Sequence, residues 1–155
     1  MDTVKIDAII EKNNADETAI LAILQDIQGV FNYLPREAME YVAKKMEVPF
    51  SRIAALATFF SSFALEERGK HIVTICMGTA CHVRGAPRVL EEVERELHIK
   101  NKETTADKNF TIETVNCVGA CALGPLVIVD GDYHGNISTS GVADMIKQYK
   151  PDAQE

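Results

Sequence analysis

Four cysteines are the residues of this chain best suited to do chemistry, and they fall into two close pairs. Four residues separate Cys76 from Cys81, three separate Cys117 from Cys121, and 35 lie between the pairs. Paired cysteines in a reducing compartment serve as metal ligands or catalytic thiols more often than as structural disulfides. Four thiolates can hold a structural zinc ion or an iron–sulfur cluster. Zinc gathers its ligands around one ion and often uses knuckles with two residues between cysteines. A [2Fe–2S] cluster is longer and takes two sulfurs per iron, which suits two slightly wider pairs. Gly78, Ala80, Gly119 and Ala120 are small, so backbone N–H groups can approach the sulfurs and supply the dipoles that a negatively charged cluster needs. These residues favour the cluster while leaving zinc and thiol chemistry open.

Competing motifs are missing from the sequence. There is no Cys-x-x-Cys, which argues against a thioredoxin-type dithiol and against c-type haem attachment at Cys81-His82. His82, beside an existing cysteine, is poorly placed to ligate a Rieske centre and reads as a partly exposed loop residue. Neither a dinucleotide-binding glycine fingerprint nor a phosphate-binding loop occurs.

The elements that must position the cysteines follow from periodicity. Residues 1–66 read as a helical segment of three helices. Ile20, Ile23, Leu24 and Ile27 form the stripe of a helix of about 14 residues. Pro35 starts a second helix with Ala38, Met39, Val42 and Met46 inward, and Pro49 a third with Phe50, Ile53, Ala54, Ala57 and Phe60 inward. The stretch from Glu66 to Lys70 reads as a linker.

Beyond it, residues 70–150 change period. His71–Ile75 is a short apolar strand that ends at Cys76, and Val89, Leu90, Val93 and Leu97 mark a helix starting near Pro87 with its positive end toward the sulfurs. After a polar excursion over residues 101–109, Phe110–Val115 alternates as a half-buried strand ending at Cys117. Leu126–Val129, the turn Asp130-Gly131 and Tyr133–Ile137 form a hairpin. Val142, Met145, Ile146 and Tyr149 mark a last helix, capped at Ser138-Thr139-Ser140 and stopped before Pro151. A strand–helix–strand crossover makes its two strands parallel. Cys76 and Cys117 then share one sheet edge, and two pairs remote in sequence become one four-sulfur site. For Pro125 trans is the default of X–Pro bonds, its place before a central hairpin, as in thioredoxin folds, raises the cis share, and the sequence leaves the two states open.

Composition limits the partners. With 23 acidic and 16 basic residues the net charge is −7, which argues against phosphate-driven nucleic-acid binding and against an anionic membrane surface. The longest nearly apolar run, residues 53–60, is far short of a bilayer span. The charged N-terminus does not read as a signal peptide, so a cytoplasmic protein is expected.

The runs Cys76-Met-Gly-Thr-Ala-Cys81-His-Val-Arg-Gly85 and Cys117-Val-Gly-Ala-Cys121-Ala-Leu-Gly-Pro125 closely resemble the thioredoxin-like 2Fe–2S subunit of NADH:quinone oxidoreductase. They also resemble the small subunits of NAD-linked FeFe hydrogenases and formate dehydrogenases. Leu24-Gln25-Asp26 through Tyr33-Leu34-Pro35, and Ala57-Thr58-Phe59-Phe60, look like the helical segment that precedes the ferredoxin domain in that family. Gly124 stands where the family often has alanine, a departure that leaves the ligands undisturbed. The Gly-Thr-Ala-Cys-x-Val-Arg-Gly-Ala run looks more like the soluble, electron-bifurcating hydrogenase branch than the respiratory one. The resemblance implies an α+β fold, in which an N-terminal helical segment precedes a thioredoxin-like ferredoxin domain with a four-stranded mixed sheet flanked by helices. It also implies one 2Fe–2S cluster ligated by Cys76, Cys81, Cys117 and Cys121, one pair per iron, and no catalytic residue of the chain's own. The implied partners are an FMN- and NADH-binding flavoprotein subunit and a larger iron–sulfur catalytic subunit, with neither nucleic acid nor direct membrane contact. The competing expectation is a zinc-stabilised interaction module without redox role.

Overall fold

The computed structural model describes residues 2–150, which fall into two compact units dividing between Arg68 and Gly69. The first unit is helical. It comprises α1 (Thr3–Lys12), a short 3₁₀ turn at Glu17–Ala19, α2 (Ile20–Phe31), α3 (Arg36–Lys45) and α4 (Phe50–Phe59). Four α-helices therefore stand where three are expected. The added one is α1, whose Ile6, Ile9 and Ile10 repeat at helical spacing behind an Asp2 side chain that caps the Lys5 amide. These isoleucines join Ile20, Ile23, Leu24 and Ile27 of α2 with Val42 and Ile53 in one apolar core. Pro35 and Pro49 cap α3 and α4 from just outside the first turn. Phe60 does not face inward as expected. The helix ends at Phe59, and the extended backbone of Phe60 (ψ 114°) carries its ring off the buried stripe, leaving it 36% exposed.

The second unit is α/β. In chain order it contains β1 (His71–Cys76), α5 (Thr79–Val83), α6 (Ala86–Leu97), β2 (Phe110–Val115), a 3₁₀ turn at Cys121–Leu123, β3 (Leu126–Val129), β4 (Asp132–Gly135) and α7 (Thr139–Lys147). The strands form one mixed sheet in the order β2-β1-β3-β4. β1 and β2 are parallel, in register from His71 opposite Phe110 to Cys76 opposite Val115, as the crossover requires. The hairpin pairs Val129 with Asp132, and its two turn residues, Asp130 and Gly131, both take positive φ. β4 stops at Gly135, two residues before the expected end, because Asn136 takes φ 52° and its N–H donates to the Leu123 carbonyl. Val73, Ile75 and Ile112 of the sheet, Val89 and Val93 of α6, and Val142 and Ile146 of α7 share a second core. Tyr149 falls beyond the end of α7 but packs against this core. Pro151, the expected stop signal, lies outside the described residues. Among the described residues no helix is long and apolar enough to cross a membrane.

Candidate metal centre

The carboxyl edge of β1 and β2 gathers the sulfurs. Cys76 is the last residue of β1, opposite Val115, and the Met77 N–H donates to the Val115 carbonyl at 2.8 Å. That bond holds the start of one ligand segment against the end of the strand that runs on to Cys117. Gly78 then caps α5, a five-residue helix that sequence periodicity does not mark, and α5 carries Cys81. His82 is exposed, on α5 rather than in a loop. Cys121 opens the 3₁₀ turn that leads into β3 through a Gly124–Pro125 peptide bond that is cis, not trans.

All four cysteines are free thiols. Their contacts run from Cys117 through Cys76 to Cys81, and on electrostatically to Cys121. Cys76 and Cys81 are each 2% exposed, whereas Cys117 and Cys121 are open to solvent. Burial pushes the Cys76 thiol up, but the Gly78 and Val118 N–H groups and the thiols of Cys81 and Cys117 donate to its sulfur and bring it below its ordinary value. Cys81 goes the other way. Burial raises it, its bond to Cys76 adds to the rise, and the Leu126 N–H only partly offsets this. The Gly119 N–H donates to Cys117 Sγ at 3.3 Å. Amides thus point at three of the four sulfurs; Gly78 and Gly119 are among the small residues expected to allow this, whereas Val118 and Leu126 are not.

Two glycines make this crowding possible. A Cβ at Gly78 would sit 2.8 Å from the Asn116 carbonyl oxygen and 3.5 Å from Cys117 Sγ. At Gly124 a Cβ would stand 3.0 Å from Cys81 Sγ, so glycine leaves that sulfur free where an alanine methyl would press on it. The 121–124 segment is also gripped from α5. Arg84 Nη1 donates to the carbonyls of Cys121 at 3.0 Å, Ala122 at 3.3 Å and Gly124 at 3.4 Å. The sequence motifs assign this arginine no role. One signal does mark it: Arg84 is the one Lys, Arg, Asp or Glu within residues 76–85 and 116–125.

The donor set is sulfur only: Cys76 hydrogen-bonds to both Cys81 and Cys117, and amides are directed at three of the four sulfurs. Among the described residues, no group of three or more His, Cys, Asp or Glu side chains is placed to hold a single metal ion. An all-thiolate binuclear cluster fits these residues, since each iron takes only two of the four sulfurs. Residues 6–150 match the family of thioredoxin-like [2Fe–2S] ferredoxins. The chain belongs to this family. The cofactor of a thioredoxin-like ferredoxin is one [2Fe–2S] cluster, and the four-stranded sheet described above is the fold of such a protein. The chain is 36% identical over 140 residues to the NADP-reducing hydrogenase subunit HndA of Solidesulfovibrio fructosivorans, covering 90% of this chain and 82% of that one. It is equally 36% identical over 140 residues to an NADH-quinone oxidoreductase subunit of Rickettsia typhi, with the same coverage. Among solved structures, it matches an NAD⁺-reducing [NiFe]-hydrogenase in the H₂-reduced state with a TM-score of 0.72. At 17% identity, with 84% of this chain and 22% of that chain covered, this likeness is one of fold.

Proposed function

We propose that this ferredoxin is the small electron-transfer subunit of an NAD(H)-linked multi-subunit oxidoreductase in the cytoplasm. It holds its cluster on Cys76, Cys81, Cys117 and Cys121, beside an FMN- and NADH-binding flavoprotein subunit and a larger iron–sulfur catalytic subunit. The observation that carries this reading is the gathering of four free thiols at one sheet edge with backbone amides directed at three of them. When bound, the cluster supplies one-electron storage. The chain's own residues hold it. Cys76 and Cys81 anchor the buried side, while Cys117 and Cys121 form the exposed side, the natural face for electron exchange with a partner. Relatives from a hydrogenase and from an NADH-quinone oxidoreductase are equally similar. Within this reading, the Gly78-Thr79-Ala80-Cys81-His82-Val83-Arg84-Gly85-Ala86 run favours the soluble, bifurcating hydrogenase branch over the respiratory enzyme, and the larger iron–sulfur subunit is a hydrogenase or a formate dehydrogenase.

The test separates holding electrons from extracting them. The cluster-loaded chain alone, mixed anaerobically with NADH, should keep its oxidised visible spectrum. Adding the flavoprotein subunit that co-purifies with the native protein should bleach it within seconds. NADH oxidation by the chain alone, free of flavin, would refute the division of labour. Mass spectrometry of the native assembly would name the terminal enzyme.

A further inference from the structure

Arg84 is the feature of this edge for which the ligand set gives no reason. It follows Cys81 by three residues, at the end of α5, and reaches across to the segment that carries Cys121. A single Nη1 atom collects the carbonyls of Cys121, Ala122 and Gly124. The Gly124 N–H donates to the same Cys121 carbonyl at 3.2 Å, so the arginine closes a turn that is otherwise held by few bonds. No Lys, Arg, Asp or Glu other than Arg84 occurs in residues 76–85 or 116–125, within a chain of net charge −7.

We propose that Arg84 is a positioning residue for the cluster, fastening the Cys121 segment to the Cys81 helix and setting the one fixed positive charge of the ligand segments against the backbone of Cys121. This rests on the four-cysteine ligation proposed above. Guanidinium suits the task because its terminal Nη1 reaches all three carbonyls from α5 and the group stays charged at every working pH. Reduction adds negative charge to the site, and net charge together with hydrogen bonding sets the potential of such clusters. A fixed cation stabilises the reduced form. Because the side chain is exposed, salt screens that effect.

The test compares the full cluster-loaded chain with Arg84→Lys and Arg84→Gln. Losing the clamp should speed bleaching by an iron chelator by about tenfold or more in Arg84→Gln, the lower end of what one charge-assisted hydrogen bond contributes. In the metal-free protein, the Leu123 and Gly124 amides should exchange hydrogen faster. The decisive readout is the midpoint potential at low salt. It should fall in Arg84→Gln, stay close to wild type in Arg84→Lys, and the difference should shrink in 1 M salt (about a 3 Å screening length). A wild-type potential in Arg84→Gln overturns the proposal, even if that variant loses iron faster. Should Arg84→Gln assemble no cluster, Arg84→Lys carries the test: assembly at the wild-type potential supports the proposal, and an equally empty lysine variant overturns it. Failure of the ligand assignment itself shows separately, as a Cys121→Ala chain that keeps its full iron content.

Discussion

Replacing any one of Cys76, Cys81, Cys117 or Cys121 by alanine should remove most of the protein's iron, labile sulfide and visible absorption. A binuclear cluster with four thiolate ligands leaves each iron only two protein sulfurs, so losing one leaves an iron half-held. The substitutions should differ in what they do to the metal-free fold. Cys117 and Cys121 are exposed, and trimming them should leave the metal-free unfolding midpoint near wild type. Cys76 and Cys81 pack with Ala86 and Leu126 in a small buried cluster, so removing either sulfur should also cost about 1 kcal/mol of burial. Metal analysis and chemical denaturation of the four variants give both readouts. Full iron content in any of the four would remove that residue from the ligand set.

A chain beginning at Glu66 should keep its colour and iron but no longer co-purify with the flavoprotein. All four cysteines follow Gly69, and the α/β unit has its own buried cores. Gly69 must be retained, because its N–H donates to the buried Thr111 hydroxyl at 2.6 Å. The helical unit has a separate core around Ile23, Leu24 and Ile53, and ligating the cluster asks nothing of it. It also leaves the Phe59 ring 79% exposed beside Ile20, Leu21 and Leu56, which together with Ala55 and Arg52 line an open groove. Exposed apolar surface of this kind is a feature of subunits that assemble. Pull-down of the flavoprotein by the full and shortened chains, at matched iron content, checks the prediction. Normal assembly of the shortened chain would leave the helices without a docking role.

How far the sequence could be read depended on how local each signal was. The α2 stripe, the Asp130-Gly131 turn and the parallel pairing of β1 with β2 are each announced by a few neighbouring residues, and all stand as expected. Cys76 and Cys117 reach one edge because a short chain rule, the crossover, fixes strand direction. The helix α1 is marked by Asp2, Ile6, Ile9 and Ile10, but Lys5, Asp7, Glu11 and Lys12 among and around the isoleucines dilute its pattern. Phe60 went astray because its spacing continues the stripe of α4 while its backbone has already left the helix. The reach of Arg84 depends on segments about 40 residues apart meeting in space. No local pattern contains it. The unequal burial of the two cysteine pairs was hidden for the same reason, since both pairs sit in equally small-residue surroundings.

The most direct measurement is the metal and sulfide content of anaerobically purified chain, taken with its visible spectrum before and after dithionite. One cluster on the four cysteines requires about two irons and two acid-labile sulfides per chain and a brown colour that reduction bleaches. One tightly held zinc, no sulfide and no visible absorption would contradict it.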